Sequence, residues 1–264
     1  MFASIVDSAG RRMALAGKHA FVTGGGRGIG RAVAAALARA GVAVTVIGRG
    51  EAALREVVAA GEAAGYGIAD VTDAAALGRQ VTAAAAARGP IAILVNNAGS
   101  VATGAFVSAD PAVFRTMWDV HLMGAVHATQ AVLPGMIERG FGRVVNVAST
   151  AGLKGYPYVA AYCAAKHALV GLTRALATET AARGVTVNAV CPGYTDTELV
   201  RASIARVASK TGRERAEVLA EYTSNAPIGR LVEPPEVAAA VLYLCSPEAA
   251  SVTGTTLAVA GGEL

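Results

Sequence analysis

From His19 onward, short runs of consecutive apolar residues alternate with longer alanine-rich stretches in which apolar positions return every three or four residues. The short runs predict strands near His19–Val22, Val42–Ile47, Tyr66–Asp70, Ile91–Val95, Arg143–Val147, Val185–Val190 and Thr256–Val259. Most are apolar at successive rather than alternate positions, as in a parallel sheet covered on both faces. The intervening stretches predict helices near Ile29–Ala40, Glu51–Ala64, Asp73–Ala87, Pro111–Arg139, Ala161–Ala181 and Pro234–Cys245, several of them closed by glycine. This alternation, unbroken by a linker or a shift in composition, predicts an α/β fold: a single doubly wound parallel sheet of about seven strands with helices on both faces. Residues 1–16 precede the pattern and read as an N-terminal extension of a single domain over residues 17–264.

Residues 198–228 depart from the alternation. A polar, Arg-containing helical pattern around Arg201–Lys210 and a turn signal at Thr211-Gly212 predict a lid-like insertion.

Composition narrows the class. With 54% apolar and 16% charged residues the chain has ample material for a core, yet no run approaches the roughly 18 apolar residues of a membrane span. Membrane insertion is therefore not expected. The 23 Lys and Arg against 19 Asp and Glu give a net +4 spread along the chain, without the basic stripe that nucleic acid requires. Cys163, Cys191 and Cys245 are far apart and lack metal-ligand spacing, which favours a reducing compartment, the cytoplasm, and no structural zinc. Cys163 and His167 share i,i+4 spacing, but two ligands without a third do not make a metal site. Arg11 and Arg12 stand near the start without an apolar core beside them, so a secretory signal is not expected, and Met13 is an alternative first residue.

The first strand runs into Thr23-Gly24-Gly25-Gly26-Arg27-Gly28-Ile29-Gly30 and then directly into a helical pattern. Glycines here allow a sharp turn and close approach of backbone to a phosphate, while the helix start supplies N–H donors and a positive dipole end. A diphosphate fits that chemistry. The alternative of a nucleotide-hydrolysing loop fails, because Arg31-Ala32 stands where Lys-Ser/Thr must follow.

At this point the sequence resembles the short-chain dehydrogenase/reductase family, and its ketoacyl and polyketide ketoreductase-like members in particular. The loop has the form Thr-Gly-x-x-x-Gly-x-Gly, Asn96-Asn97-Ala98-Gly99 follows the fourth strand, Ser149 ends the fifth, Tyr162 and Lys166 open the next helix, and Pro192-Gly193 follows the sixth. The resemblance spans about Gly17 to Gly262 and implies a Rossmann-type, NAD(P)-dependent oxidoreductase. It implies cofactor contacts from Thr23, Gly24, Gly26, Arg27, Gly28, Ile29 and Gly30, from Asp70 and Val71 at the adenine, and from Asn97, Ala98 and Gly99 near its ribose. Tyr162, Lys166, Pro192, Gly193, Thr195 and Thr197 complete the set, Thr197 as the carboxamide ligand. A homo-oligomer, tetrameric in many members of the family, is also implied.

The catalytic candidates make chemical sense by themselves. Tyr162 and Lys166, four apart on a helix, share one face. A free phenol, with a pKa of about 10, is a poor acid or base near neutrality, and a nearby ammonium stabilises the phenolate. Lys166 is thus expected to lower the Tyr162 pKa, and Ser149 to donate to a carbonyl oxygen that becomes alkoxide-like as hydride arrives. The resemblance gives Tyr162 the role of general acid/base. One position departs from the family: His121, in His121-Leu122-Met123-Gly124, stands where an asparagine usually helps hold a relay water, and is expected to modify the relay rather than abolish it.

The second strand ends Val46-Ile47-Gly48-Arg49, with arginine in place of the acid that binds the ribose diol in NAD enzymes, so Arg49 with Arg27 predicts NADP(H). NAD(H) remains the alternative, because Glu51 lies close enough in sequence to reach the diol. The expected substrate is a ketone reduced to a secondary alcohol, or the reverse. Arg201, Arg206, Lys210, Arg213 and Arg215 on the lid raise the prospect of a 3-oxoacyl thioester gripped by its phosphates. A dinucleotide-sensing interaction protein would share the fold, but has no use for the Ser149, Tyr162 and Lys166 set.

Overall fold

The computed structural model describes residues 15–264; the predicted extension, apart from Leu15 and Ala16, lies outside the described residues. Seven strands form one sheet: β1 (His19–Thr23), β2 (Ala43–Gly48), β3 (Gly65–Ile68), β4 (Ile91–Asn96), β5 (Gly142–Val147), β6 (Val185–Pro192) and β7 (Thr256–Val259). Their order is β3-β2-β1-β4-β5-β6-β7 and every pairing is parallel. Around it lie α1 (Gly28–Arg39), α2 (Glu51–Ala59), α3 (Ala74–Arg88), α4 (Pro111–Trp118), α5 (Gly124–Glu138), α6 (Ala160–Thr180), α7 (Glu198–Thr211), α8 (Arg215–Ser224) and α9 (Pro234–Cys245).

The consecutive apolar residues of the strands serve two cores at once. Val22, Val46 and Val95 face Val33, Leu37, Val237 and Leu244 of α1 and α9, whereas their neighbours Phe21, Ile47 and Leu94 face Leu77, Val81, Ala128 and Met136 of α3 and α5. Both faces being covered, a strand with a polar face would bury it unpaired. The strand order reverses between β1 and β4, and the crevice that such a switch opens at the carboxyl ends is where ligands bind in sheets of this kind.

Three boundaries differ from expectation. β3 ends at Ile68, so Asp70 sits beyond the strand, held in a turn by the Thr72 N–H and hydroxyl donating to its Oδ1 at 3.0 and 2.9 Å. The helix ending near Ala64 stops at Ala59, ahead of Gly61 with φ +71°. The predicted helix Pro111–Arg139 is interrupted: a π turn over Asp119–Met123 separates α4 from α5, while Pro134 remains inside α5. Such turns carry one extra residue per turn and often mark functional sites. The lid residues form α7 and α8, closed on each other through Ile204, Ala208 and Val218.

Candidate active site

The crevice above β1, β4, β5 and β6 opens into a cleft of about 610 Å³. Gly24, Gly26, Arg27, Gly28 and Ile29 line one end of it and Ser149, Tyr162 and Lys166 the other. Asp70, Val71, Asn97, Ala98, Gly99, Pro192, Gly193, Thr195 and Thr197 also line it. Of the residues singled out in the sequence, Thr23 and Gly30 lie beneath this surface and shape it. The Thr23 hydroxyl accepts the N–H groups of Asn97 and Ala98 at 3.0 and 3.1 Å, and the Asn97 amide donates to the carbonyls of Thr23 and Gly24. A Cβ on Gly30 would drive into the Gly24 carbonyl oxygen, so only glycine lets α1 start this close to the loop.

A dinucleotide fits this cradle. Arg27, the N-cap of α1, makes no side-chain cap hydrogen bond, and the first turn contains no acidic residue. Its leading N–H groups therefore keep their donors for a diphosphate. Arg49, at the end of β2, reaches the Asp70 carboxylate at 3.5 Å, and Arg27 reaches Glu198 at 3.5 Å. Both pairs are exposed and are weak enough for a ligand phosphate to displace. Glu51 is engaged elsewhere: its Oε1 accepts from Arg55 Nε and from the Tyr66 hydroxyl, each at 2.9 Å. Two threonines are also committed: Thr197 Oγ1 caps α7 by accepting from Val200 N at 3.4 Å, and Thr195 donates to the Gly193 carbonyl at 3.0 Å.

Ser149 caps a short 3₁₀ turn, its Oγ accepting from Ala151 N at 3.1 Å, a bond that does not use the hydroxyl proton. Lys166, 4% exposed, donates to the Val147 carbonyl at 2.7 Å, and its nitrogen lies 5.6 Å from the Tyr162 ring centre. The electrostatics differ from the sequence expectation. Burial pushes the Tyr162 phenol up to about 12, opposed by a hydrogen bond with Ser149, and burial pushes the Lys166 amine down to about 7. Burial shifts both groups toward their neutral forms, because the dry surroundings that penalise the phenolate penalise the ammonium as well. The outcome is a phenol that keeps its proton at neutral pH.

His121 comes from the π turn and stands edge-on to Tyr162, with ring centres 5.2 Å apart and an interplanar angle of 82°. The 2.7 Å contact of Nε2 with the Ser100 carbonyl assigns the proton to Nε2 and leaves Nδ1 an acceptor. Burial and then Lys166 push the imidazole down to about 3, so it is neutral throughout the physiological range. Nδ1 and the buried Asn96 Oδ1 have no partner among the described residues, and His121, Asn96 and Lys166 line one cavity of about 10 Å³, room for a single water. Gly99 belongs to this arrangement: a Cβ there would lie 2.6 Å from His121 Cε1.

The lid cations take no part in the cleft lining. Arg201 is bound bidentately by Asp196 at 2.7 and 2.8 Å, Arg213 by Glu221 at 2.7 Å, and Arg206, Lys210 and Arg215 lie outside the lining as well. The lid instead contributes Glu198, Leu199, Val200, Ser203 and Tyr222. The sequence reading missed Tyr156, Tyr194 and Tyr222 in the lining, and Glu263, whose carboxylate is buried behind Tyr156. Aromatics at unrelated sequence positions carry no spacing signal. Cys163 and His167 are joined only by His167 Nδ1 and the Cys163 carbonyl at 2.9 Å, and the described residues hold no cluster of metal-ligating side chains.

A family model described as Enoyl-(Acyl carrier protein) reductase matches residues 24–263. The chain belongs to the short-chain dehydrogenase/reductases. It is similar to a 3-oxoacyl-[acyl-carrier-protein] reductase of Vibrio harveyi, 39% identical over 95% of this chain and 98% of the relative. An acetoacetyl-CoA reductase of Shinella zoogloeoides is 43% identical over 66% of this chain and 68% of its own length. Among solved structures, an actinorhodin polyketide ketoreductase variant with NADPH superposes with a TM-score of 0.89 at 38% identity, covering 93% of this chain and 97% of that one. This short-chain dehydrogenase/reductase is thus an oxidoreductase, and among its described residues no helix is long and apolar enough to cross a membrane.

Proposed function

We propose that the chain reduces a ketone to a secondary alcohol with NADPH, in the cytoplasm and as a homo-oligomer. The observation that carries the reading is geometric: the Tyr162 phenol and the Ser149 hydroxyl line the same cleft as the glycine loop, with the Lys166 amine 5.6 Å from the Tyr162 ring centre. The relatives' activities, a 3-oxoacyl and an acetoacetyl-CoA reductase, agree with it. Gly24, Gly26, Arg27, Gly28 and Ile29 would hold the diphosphate, Asp70 and Val71 the adenine, and Lys166 the nicotinamide ribose through donors that Val147 leaves free. When bound, the cofactor supplies hydride to the carbonyl carbon. Ser149 donates to the carbonyl oxygen, orienting it and stabilising the charge that develops there. Tyr162 transfers its proton to that oxygen as the hydride arrives. His121 Nδ1, Asn96 Oδ1 and Lys166 would hold one water, accepting its two protons while Lys166 donates to its oxygen, and Lys166, which faces both this water and the phenol, would return the proton to Tyr162.

Replacing His121 by Ala is expected to lower kcat well short of the hundredfold expected of losing a general acid, with partial recovery in His121→Asn, whose amide can again hold the water. An Ala variant with unaltered rate and pH profile removes His121 from the relay.

The preference for NADPH rests on Arg49 and Arg27, whose planar guanidinium groups suit a 2′-phosphate, and on the engagement of Glu51 with Arg55 and Tyr66. Titration of each cofactor into the protein, followed by nicotinamide fluorescence, tests it. Arg49→Ala should weaken NADPH about tenfold, the order of one charge-assisted hydrogen bond, and leave NADH unchanged. Tighter binding of NADH, indifferent to Arg49→Ala, refutes the preference.

A further inference from the structure

Beyond Ser149 and Tyr162 the cleft is walled by three tyrosines from three distant segments: Tyr156 from the loop after β5, Tyr194 from the turn after β6, and Tyr222 from α8 of the lid. Tyr194 and Tyr222 have ring centres 4.5 Å apart at 47°, and Tyr156 meets Tyr194 edge-on at 6.3 Å and 77°. All three rings are only partly buried, and Val159, Leu199 and Val200 fill the lining around them. The wall is fixed from behind. The Tyr156 hydroxyl donates to Glu263 Oε1 at 2.5 Å and accepts from Thr150 Oγ1 at 2.7 Å. Glu263, with a side chain 1% exposed, is held in turn by Lys154 at 3.3 Å, which leaves that side of the wall without net charge. Tyr222 shares a hydrogen bond of 3.0 Å with Ser203. The Tyr194 hydroxyl has no partner among the described residues and, pushed up to about 12 by burial, keeps its proton.

We infer that Tyr156, Tyr194 and Tyr222 form an aromatic subsite that takes the ring of an uncharged cyclic or aryl-fused ketone. The inference rests on the ketone-reducing reading and adds the substrate class to it. Partly exposed aromatic faces in a cleft offer large apolar area and edge or offset stacking to a flat ligand. Anchored rings lose little freedom when the ligand arrives, and a rigid ligand loses fewer rotors than an alkyl chain of equal carbon number. The absence of Arg206, Lys210 and Arg215 from the lining means that no lid cation awaits a phosphate at this end.

The test compares kcat/KM with NADPH for 2-tetralone and 2-decanone, two ketones of ten carbons, beside acetoacetyl-CoA. The expected result is at least tenfold preference for 2-tetralone over 2-decanone. Tyr222→Leu should lower that ratio threefold to tenfold, the range of one lost aromatic contact, whereas Tyr222→Phe and Tyr194→Phe keep most of it. NADPH affinity and thermal midpoint report whether each variant is folded; if the Leu variant is not, the wild-type ratio alone decides. Equal or better turnover of 2-decanone, or a ratio untouched in a folded Tyr222→Leu, overturns the subsite. Turnover of acetoacetyl-CoA without 2-tetralone also overturns it, while leaving the ketone-reducing reading in place. A protein that binds NADPH and reduces none of the three overturns both.

Discussion

Tyr162→Phe should cut turnover by at least about a hundredfold while leaving NADPH affinity nearly unchanged. The substitution removes one oxygen and keeps the ring that packs against His121 at 5.2 Å. The loss falls on kcat because the proton is needed only as the carbonyl oxygen gains charge, and substrate binding retains the Ser149 donor. The starting state sharpens the expectation. With the phenol pushed up to about 12, ketone reduction by the wild type should not lose its acid anywhere near neutrality. Stopped-flow or steady-state rates across pH, with cofactor binding measured in parallel, check both parts. Near-normal kcat in a folded Tyr162→Phe protein would take the proton-donor role away from this residue.

The second large effect has opposite signs for activity and stability. Lys166→Met should abolish most activity and yet raise the stability of the cofactor-free protein at pH 7 by about 1–4 kcal/mol, the range seen when buried ionic groups give way to apolar ones. For a chain of this size that is several degrees in Tm. Lys166 is buried, and the Val147 carbonyl is its hydrogen-bond acceptor. Its amine falls from 10.5 in the free side chain to about 7 in the fold, so between those values the folded protein binds fewer protons than the unfolded chain. Wild-type stability therefore rises with pH across that window; the penalty is complete below about 7 and gone above 10.5. The methionine variant lacks this rise, and its advantage should shrink steadily as pH increases. Thermal melts of both proteins at several pH values decide it: a wild type as stable as the variant at pH 7, or a gap independent of pH, contradicts the burial cost assigned to Lys166.

Much of this architecture was legible because it rests on local pattern. Short apolar runs such as Ala20-Phe21-Val22, recurring between helical stretches, suit strands covered on both faces, and Thr23 to Gly30, the Asn97 region, Ser149, Tyr162 and Lys166 fall around one cleft as their order implies. What escaped depends on distant contacts. The π turn at Asp119–Met123 has no glycine or proline to announce it, so the helix Pro111–Arg139 read as continuous. The i,i+4 spacing of Tyr162 and Lys166 placed them on one face but could not reveal that the amine is spent partly on Val147, nor how dry the surroundings are. The lid arginines are tied by near neighbours, Arg201 by Asp196 five residues before it and Arg213 by Glu221 eight residues after it, and which of several nearby acids each one takes is set by side-chain geometry that the sequence does not give. Glu263 is distant in sequence from Tyr156, and only β7 brings the two together beneath the cleft.

The contact between Gly99 and His121 couples two positions that stand far apart in the sequence. A Cβ added at position 99 would lie 2.6 Å from His121 Cε1, so a side chain there is accommodated only if the imidazole, carried by the π turn, moves. Position 99 and the ring at 121 compete for one volume, and two substitutions made there together should not have additive effects.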